Sequence, residues 1–202
     1  TIKLASNITI TGTLTLTGNS QTNHLTLQSD IAGTVRTITS AAVALTDVWL
    51  KDIVGAGVAA PFTGTRLGNL GNNTSVTLTP ISYYYVGNTA NWSGTVWAST
   101  SGGVGATANF LPQDIAVFDA NSFSANSQTV TLDTNATLGN VDFSAMTIRT
   151  GITFATGLTT PIIYGELKLT TATCFAVTGT GLFTLTPPYG TTKTITSSGV
   201  AW

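Results

Sequence analysis

Charged side chains are scarce in this sequence. Only 7% of the 202 residues are Asp, Glu, Lys or Arg, and the formal net charge is −1, whereas about a quarter of the residues in an ordinary globular domain are charged. The seven basic residues are scattered singly along the chain. A basic patch for nucleic acid, or a basic stripe for an anionic membrane, is therefore not expected.

Residue types that carry catalysis or bind metals are also few. Cys174 is the only cysteine, which excludes an intrachain disulfide, and the neighbouring Phe175 favours a buried thiol. His24 is the only histidine, so a Ser-His-Asp site would depend on it, and no G-x-S-x-G motif is present. We predict no cofactor, no metal site and no enzymatic activity.

Long apolar runs are missing as well. No run approaches the ~20 residues that a membrane-spanning helix needs, so membrane insertion is not expected. The chain begins TIKLASNITI, with neither an initiator Met nor an apolar leader segment. This beginning predicts a processed form or a piece of a longer protein.

Threonine is abundant and supplies about a fifth of the chain. Its branched Cβ favours extended backbone, and its hydroxyl suits a wet surface without adding charge. Residues 8–18 (ITITGTLTLTG) alternate aliphatic and Thr residues around a bend at Gly12, which predicts a strand with one buried face. The same texture predicts further strands in residues 24–29, 35–40, 43–50, 75–80, 129–133, 165–170, 181–186 and 193–199.

Many short strands separated by Gly, Asn and Ser fit two all-β architectures, a β-solenoid and a set of β-sandwich modules. Internal echoes favour the solenoid, a parallel β-helix-like stack: residues 11–19 resemble residues 178–186, and residues 34–45 resemble residues 191–202. We predict a solenoid section over residues 1–51, a Gly, Ala and aromatic-rich excursion over 52–122, and a second solenoid section over 123–202 that continues beyond the chain.

Residues 83–124 contain a motif of aromatic and glycine residues. It reads aromatic-x-V-G, then N-W, then S-G-G, then P-x-D, then F-D-A-N-S, and it resembles a repeat found in structural proteins of tailed phages and in bacterial surface proteins. The residues that match are Asn91, Trp92, Trp97, Gly102, Gly103, Pro112, Asp114, Phe118 and Asp119. Asn88 stands where the repeat commonly has a second Gly. The resemblance implies a β-rich structural role in a phage particle or on a cell surface, and it supplies no catalytic residues.

Two groups of side chains are candidates for a site. Tyr83, Tyr85, Trp92 and Trp97 could stack on a carbohydrate or could form the core of the excursion, since flat aromatic rings serve both purposes. Two pairs of carboxylates, Asp47 with Asp52 and Asp114 with Asp119, are each five residues apart. That spacing points them to opposite faces of a strand, so we interpret Asp114 as a residue in a turn or at the start of a strand and Asp119 as an Asx-turn residue.

These observations favour a virion structural protein, namely a tail fibre, tail spike or capsid appendage that gives mechanical reach and host attachment. The alternatives are a bacterial surface adhesin or extracellular filament protein and, with less support, a polysaccharide-degrading β-helix enzyme, which would need clustered acids. The expected location is the virion, or else the bacterial surface. The expected partners are further copies of the chain in a homo-oligomer such as a trimer, other virion or surface structural proteins, and host surface polysaccharide.

Overall fold

A computed structural model describes residues 1–20, 23–146, 150–157, 159–169, 175–181, 184–187 and 192–199. Within these residues the fold is all-β: 21 strands and no helix, in several sheets whose strands pair mostly in parallel. The prediction for Cys174 lies outside the described residues. The chain divides into two compact units, one of residues 1–79 and 187–192 and the other of residues 80–186 and 193–202.

The first unit contains eight strands in two parallel sheets. Their bounds are β1 Ile2–Leu4, β2 Ile8–Thr17, β3 Leu25–Ser29, β4 Arg36–Thr46, β5 Val48–Lys51, β6 Ile53–Ala56, β7 Gly64–Thr65 and β8 Gly68–Asn69. One sheet has the order β1-β3-β5-β8, and in the other β4 lies between β2 and β6 and also pairs with β7. The chain therefore alternates between the two sheets over its first six strands.

Like residues face like residues in this unit. Ile8 pairs with Ile38 and Leu16 with Leu45, and Thr9 pairs with Thr39 and Thr17 with Thr46, whereas Thr13 and Thr15 pair with alanines of β4. Because partner side chains in a parallel pair lie on the same face, Ile38 and Leu45 of β4 are buried on the same face as Ile8 and Leu16 of β2. The alternation in the sequence thus selects the register.

The second unit contains thirteen strands. Their bounds are β9 Ser82–Tyr85, β10 Ala90–Asn91, β11 Trp97–Ala98, β12 Ile115–Asp119, β13 Thr129–Thr131, β14 Thr137–Leu138, β15 Asn140–Ala145, β16 Ile152–Ala155, β17 Ile162–Ile163, β18 Leu167–Lys168, β19 Phe175–Thr178, β20 Thr184–Leu185 and β21 Ile195–Thr196.

From β12 to β21 the chain visits three sheets in a constant order. Strands β12, β15, β18 and β21 belong to a six-stranded sheet that continues to β9 and β11, β10, β13, β16 and β19 form a four-stranded sheet, and β14, β17 and β20 form a three-stranded sheet. All these pairs are parallel except that of β11 with β9. Hydrogen bonds between successive passes join residues about 25 apart in sequence, as between Asn135 and Thr160 or Asn140 and Glu166.

Aromatic rings from successive strands of the six-stranded sheet stack in the core of the second unit. Phe118 on β12 packs almost flat on Phe143 of β15, with ring centroids 4.0 Å apart, and Tyr85 of β9 lies 5.0 Å on the other side. All three side chains are fully buried. The stack exists because parallel pairing brings equivalent residues of consecutive strands together.

The predicted strands are found with shifted ends, apart from one. Residues 43–50 divide between β4 and β5, because Asp47 takes a left-handed backbone (φ 53°) between them. The prediction of a strand over residues 75–80 is wrong, since only Val76 forms an isolated bridge, with Phe62. Ser75 is left-handed (φ 53°), which interrupts the extended backbone directly before Val76, and Pro80 ends the segment without an N–H to donate.

Candidate functional site

All four aromatic candidates belong to the second unit, and three of them are buried in its core. Tyr85, Trp92 and Trp97 are each less than 5% exposed, and Tyr83 is half-buried against the same cluster. The rings of Trp92 and Trp97 meet edge to face at 4.4 Å, and Phe110 packs on both. These side chains expose little area to a carbohydrate, whereas they contribute a large share of the apolar core.

The polar atoms of these aromatics are satisfied internally. The indole Nε1 of Trp97 donates to the backbone oxygen of Trp92 at 2.9 Å, and the hydroxyl of Tyr85 donates to the backbone oxygen of Asn88 at 2.7 Å. Burial raises the pKa of Tyr85 far above its ordinary value. The rings of Trp97 and Tyr85 are thus each held in place by a hydrogen bond to the backbone of the protein.

Asp114 is a fully buried carboxylate at the start of β12. Its two oxygens accept the backbone N–H groups of Ile81 at 2.9 Å and Leu111 at 2.8 Å. Burial raises the pKa of Asp114, although both hydrogen bonds act in the opposite direction. The carboxylate therefore joins the chain before β9 to the turn before β12, which agrees with the interpretation of Asp114 as a residue at the start of a strand.

Asp119 ends β12 and closes a turn. Its Oδ1 accepts the backbone N–H of Asn121 at 2.9 Å, which confirms the predicted Asx turn. Its own N–H donates to the hydroxyl of Ser122. Asp114 and Asp119 thus have separate structural roles at the two ends of one strand.

The other predicted pair, Asp47 and Asp52, occupies two left-handed positions in the first unit, with φ of 53° and 58°. Asp47 forms a two-pronged ion pair with Arg66, in which Nε lies 2.6 Å from Oδ1 and Nη2 lies 2.5 Å from Oδ2. Asp52 accepts hydrogen bonds from the side chain of Asn72 and the backbone of Gly33. Each carboxylate therefore contacts a side chain about 20 residues further along the sequence, and the two carboxylates do not contact each other.

A row of partly exposed side chains, which the sequence did not indicate, crosses the six-stranded sheet, and two of its members carry charge. Asp142 on β15 pairs in register with Lys168 on β18, and the Nζ of Lys168 lies 4.0 Å from Asp142 and 3.2 Å from Glu166. On the other side, Val117 and then Tyr84 continue the row. All of these side chains are partly exposed, unlike the buried neighbours at alternate positions.

This row places two carboxylates beside one lysine, so Lys168 balances part of their charge, and at such exposure the pairs contribute at most about 1 kcal/mol. The only indication of this row in the sequence is the spacing of about 26 residues between Asp142 and Lys168, and that spacing can be interpreted only when the pairing of β15 with β18 is known.

Across the described ranges, no group of three or more His, Cys, Asp or Glu residues is arranged to hold a metal ion. No helix in the same ranges has the length and hydropathy to cross a membrane.

The geometry defines an all-β protein of mostly parallel sheets whose acidic and aromatic candidates serve mainly internal contacts. A comparison with family models gave no match, and comparisons with curated proteins and with solved structures gave none either.

Proposed function

We propose that the chain is a structural section of a fibre or appendage of a phage particle, built as a parallel β-solenoid. The observation that carries this proposal is the constant order in which strands β12 to β21 of the second unit visit three sheets, with hydrogen bonds joining residues about 25 apart. Such an order arises when each turn of a coil stacks on the turn before it. The resemblance of residues 83–124 to repeats of phage and bacterial surface proteins supports the particle as its location.

The physical basis of the role is mechanical. In a coil of this kind the backbone hydrogen bonds run from one turn to the next, so pulling along the stack loads many of them together. Side chains between the turns add ion pairs and hydrogen bonds, such as the one that the backbone N–H of Thr160 donates to Oδ1 of Asn135. A stack of this kind is stiff and presents a long surface, which is what attachment at a distance from a particle requires.

The solenoid architecture is tested by deleting one complete turn. Removal of residues 140–164 joins Gly139 to Gly165, two glycines that already stack through a hydrogen bond of 2.9 Å between N of Gly165 and O of Gly139. We expect the shortened protein to keep a β-rich circular dichroism spectrum and a cooperative thermal transition. The matched control removes only residues 140–151, which breaks the order of the sheets and is expected to unfold the second unit. If both deletions are equally destructive, the solenoid is refuted.

The location is tested by immunogold electron microscopy with an antiserum raised against the folded protein, applied to phage particles and to host cells. Gold on the tail or the head appendages of particles supports the proposed role. Gold confined to cell surfaces overturns it in favour of an adhesin or filament. Pre-immune serum and serum absorbed with the purified protein are the controls.

A further inference from the structure

Strand β2 has an open edge. In the part of the chain that the structure describes, β2 pairs with β4 on one side and with no strand on the other. The aliphatic side chains of β2 are only half-buried, whereas Ile38 and Leu45, which face them from β4, are at most 3% exposed. The edge therefore offers unpaired backbone groups together with a row of partly covered aliphatic residues.

The second unit shows how this protein closes an equivalent edge. There β9 is the first strand of a parallel series, and β11 pairs with it in antiparallel orientation, through Trp97 opposite Tyr85 and Ala98 opposite Tyr84. Trp97 also forms an antiparallel bridge with Ala106. An antiparallel strand thus covers a parallel sheet within this same chain.

The pattern of aliphatic and threonine residues in β2 is the same in both directions from Gly12. Aliphatic residues stand at positions 8, 10, 14 and 16, and threonines stand at positions 9, 11, 13 and 15. A second β2 laid antiparallel with Gly12 opposite Gly12 would set Ile8 against Leu16, and Thr9 against Thr15. Every aliphatic residue then meets an aliphatic residue on the same face, and a slip by one residue would destroy this match.

Gly12 itself fits a point where two backbones meet. A Cβ added at Gly12 would meet nothing within 4 Å, so no intrachain contact requires a glycine there. The register of β2 against β4 shifts between Ile10 and Thr13, so the strand bends at Gly12. A two-fold axis through the bend would place each arm of β2 opposite the other arm of β2 in the second copy. Glycine inside a strand often marks such a bend or the close approach of another backbone.

We propose that two copies of this chain pair through their β2 edges, antiparallel and about a two-fold axis at Gly12. Two identical edges can pair with the same face buried only in this orientation, because a parallel arrangement of the same edge would turn one aliphatic row to solvent. The inference rests on β2 alone and does not depend on the proposed virion role.

Cysteine cross-linking in a Cys174→Ser background tests the register. Gly12→Cys should form a disulfide-linked dimer with itself, because residues directly opposite across an antiparallel pair have Cβ atoms about 5 Å apart. Thr9→Cys should not, because the two copies of residue 9 would lie about 20 Å apart. An equimolar mixture of Thr9→Cys and Thr15→Cys should cross-link. Self-cross-linking of Thr9→Cys as efficient as that of Gly12→Cys would overturn the antiparallel register.

Sedimentation equilibrium of the whole chain tests the association itself. The unsubstituted protein should show a dimer that dissociates on dilution, and Gly12→Glu should be monomeric at the same concentrations, because two carboxylates would meet at the axis. Gly12→Gln is the control of equal size without charge and should retain more dimer. Circular dichroism should show all three proteins equally folded, since a side chain at position 12 meets open space within the chain. A monomeric unsubstituted protein, whether another segment or nothing covers β2, would overturn the proposal.

Discussion

Replacing Phe118 with Ala removes the ring on which the aromatic stack of the second unit is centred. Phe118 is fully buried and lies between Tyr85 and Phe143 at centroid distances of 5.0 and 4.0 Å. Truncation of a buried Phe costs roughly 3–5 kcal/mol, from lost burial together with the cavity that remains. Because rings from three strands meet here and cannot all move into the space left by Phe118, the cavity should stay largely open, and we expect a loss of about 4 kcal/mol.

Urea denaturation followed by tryptophan fluorescence measures this loss. Trp92 and Trp97 lie 6.2 and 5.7 Å from the Phe118 ring, so their emission reports on the same part of the core. With a urea m-value of roughly 2 kcal/mol/M, the midpoint should fall by about 2 M. Phe118→Leu keeps much of the apolar volume and should lose less, which leaves a measurable variant if Phe118→Ala does not fold.

The matched control is Val104→Ala, because Val104 is 93% exposed. Its free energy of unfolding should change by less than about 0.5 kcal/mol. A loss below about 1 kcal/mol for Phe118→Ala would refute the reasoning, since it would mean that the stacked rings do not form a close-packed core.

Three further predictions follow from single contacts. Arg66→Ala should lower the free energy of unfolding in urea denaturation, because it leaves the buried Asp47 carboxylate without its partner, and Arg66→Lys should recover only part of the loss. Asp114 has a raised pKa when folded, so its contribution to stability is fullest below the ordinary Asp pKa and is lost as pH rises through the folded pKa. The difference in unfolding free energy between the unsubstituted protein and Asp114→Asn should therefore decrease as pH rises from acid to neutral, and a difference that increases would contradict the shift. Gly139→Ala should lower the melting temperature, because its Cβ would fall 2.1 Å from the backbone oxygen of Asp114, whereas Gly12→Ala, which meets no atom, should leave it nearly unchanged.

The all-β class was predictable because it depends on local pattern. The alternation of Ile, Leu and Thr in residues 8–17 specifies both a strand and its buried face, and β2 has these bounds. Strands of two residues, such as Gly64–Thr65 and Ala90–Asn91, carry no readable alternation. They form because longer neighbouring strands bring them within hydrogen-bonding distance.

The candidate sites depended on contacts between residues far apart in sequence. The pairing of Asp47 with Arg66 and of Asp142 with Lys168 crosses about 19 and 26 residues, and composition gives no indication of such distances. From the sequence alone, the aromatic residues Tyr83, Tyr85, Trp92 and Trp97 fit either a carbohydrate-binding surface or a core. Deciding between these needs the side-chain burial, which is a property of the packed strands.

The outward faces of β2 and β4 have a consequence for the medium in which the protein works. The exposed residues of β2 are threonines around Gly12, and those of β4 beside them are alanines and threonines, so these positions are uncharged, with Thr9 paired to Thr39 and Thr15 to Ala44. Ionic strength changes the interactions of exposed charges and leaves hydroxyl hydration largely untouched. Such a surface carries no charged side chains, so its hydration should be nearly the same at low and at high salt concentration.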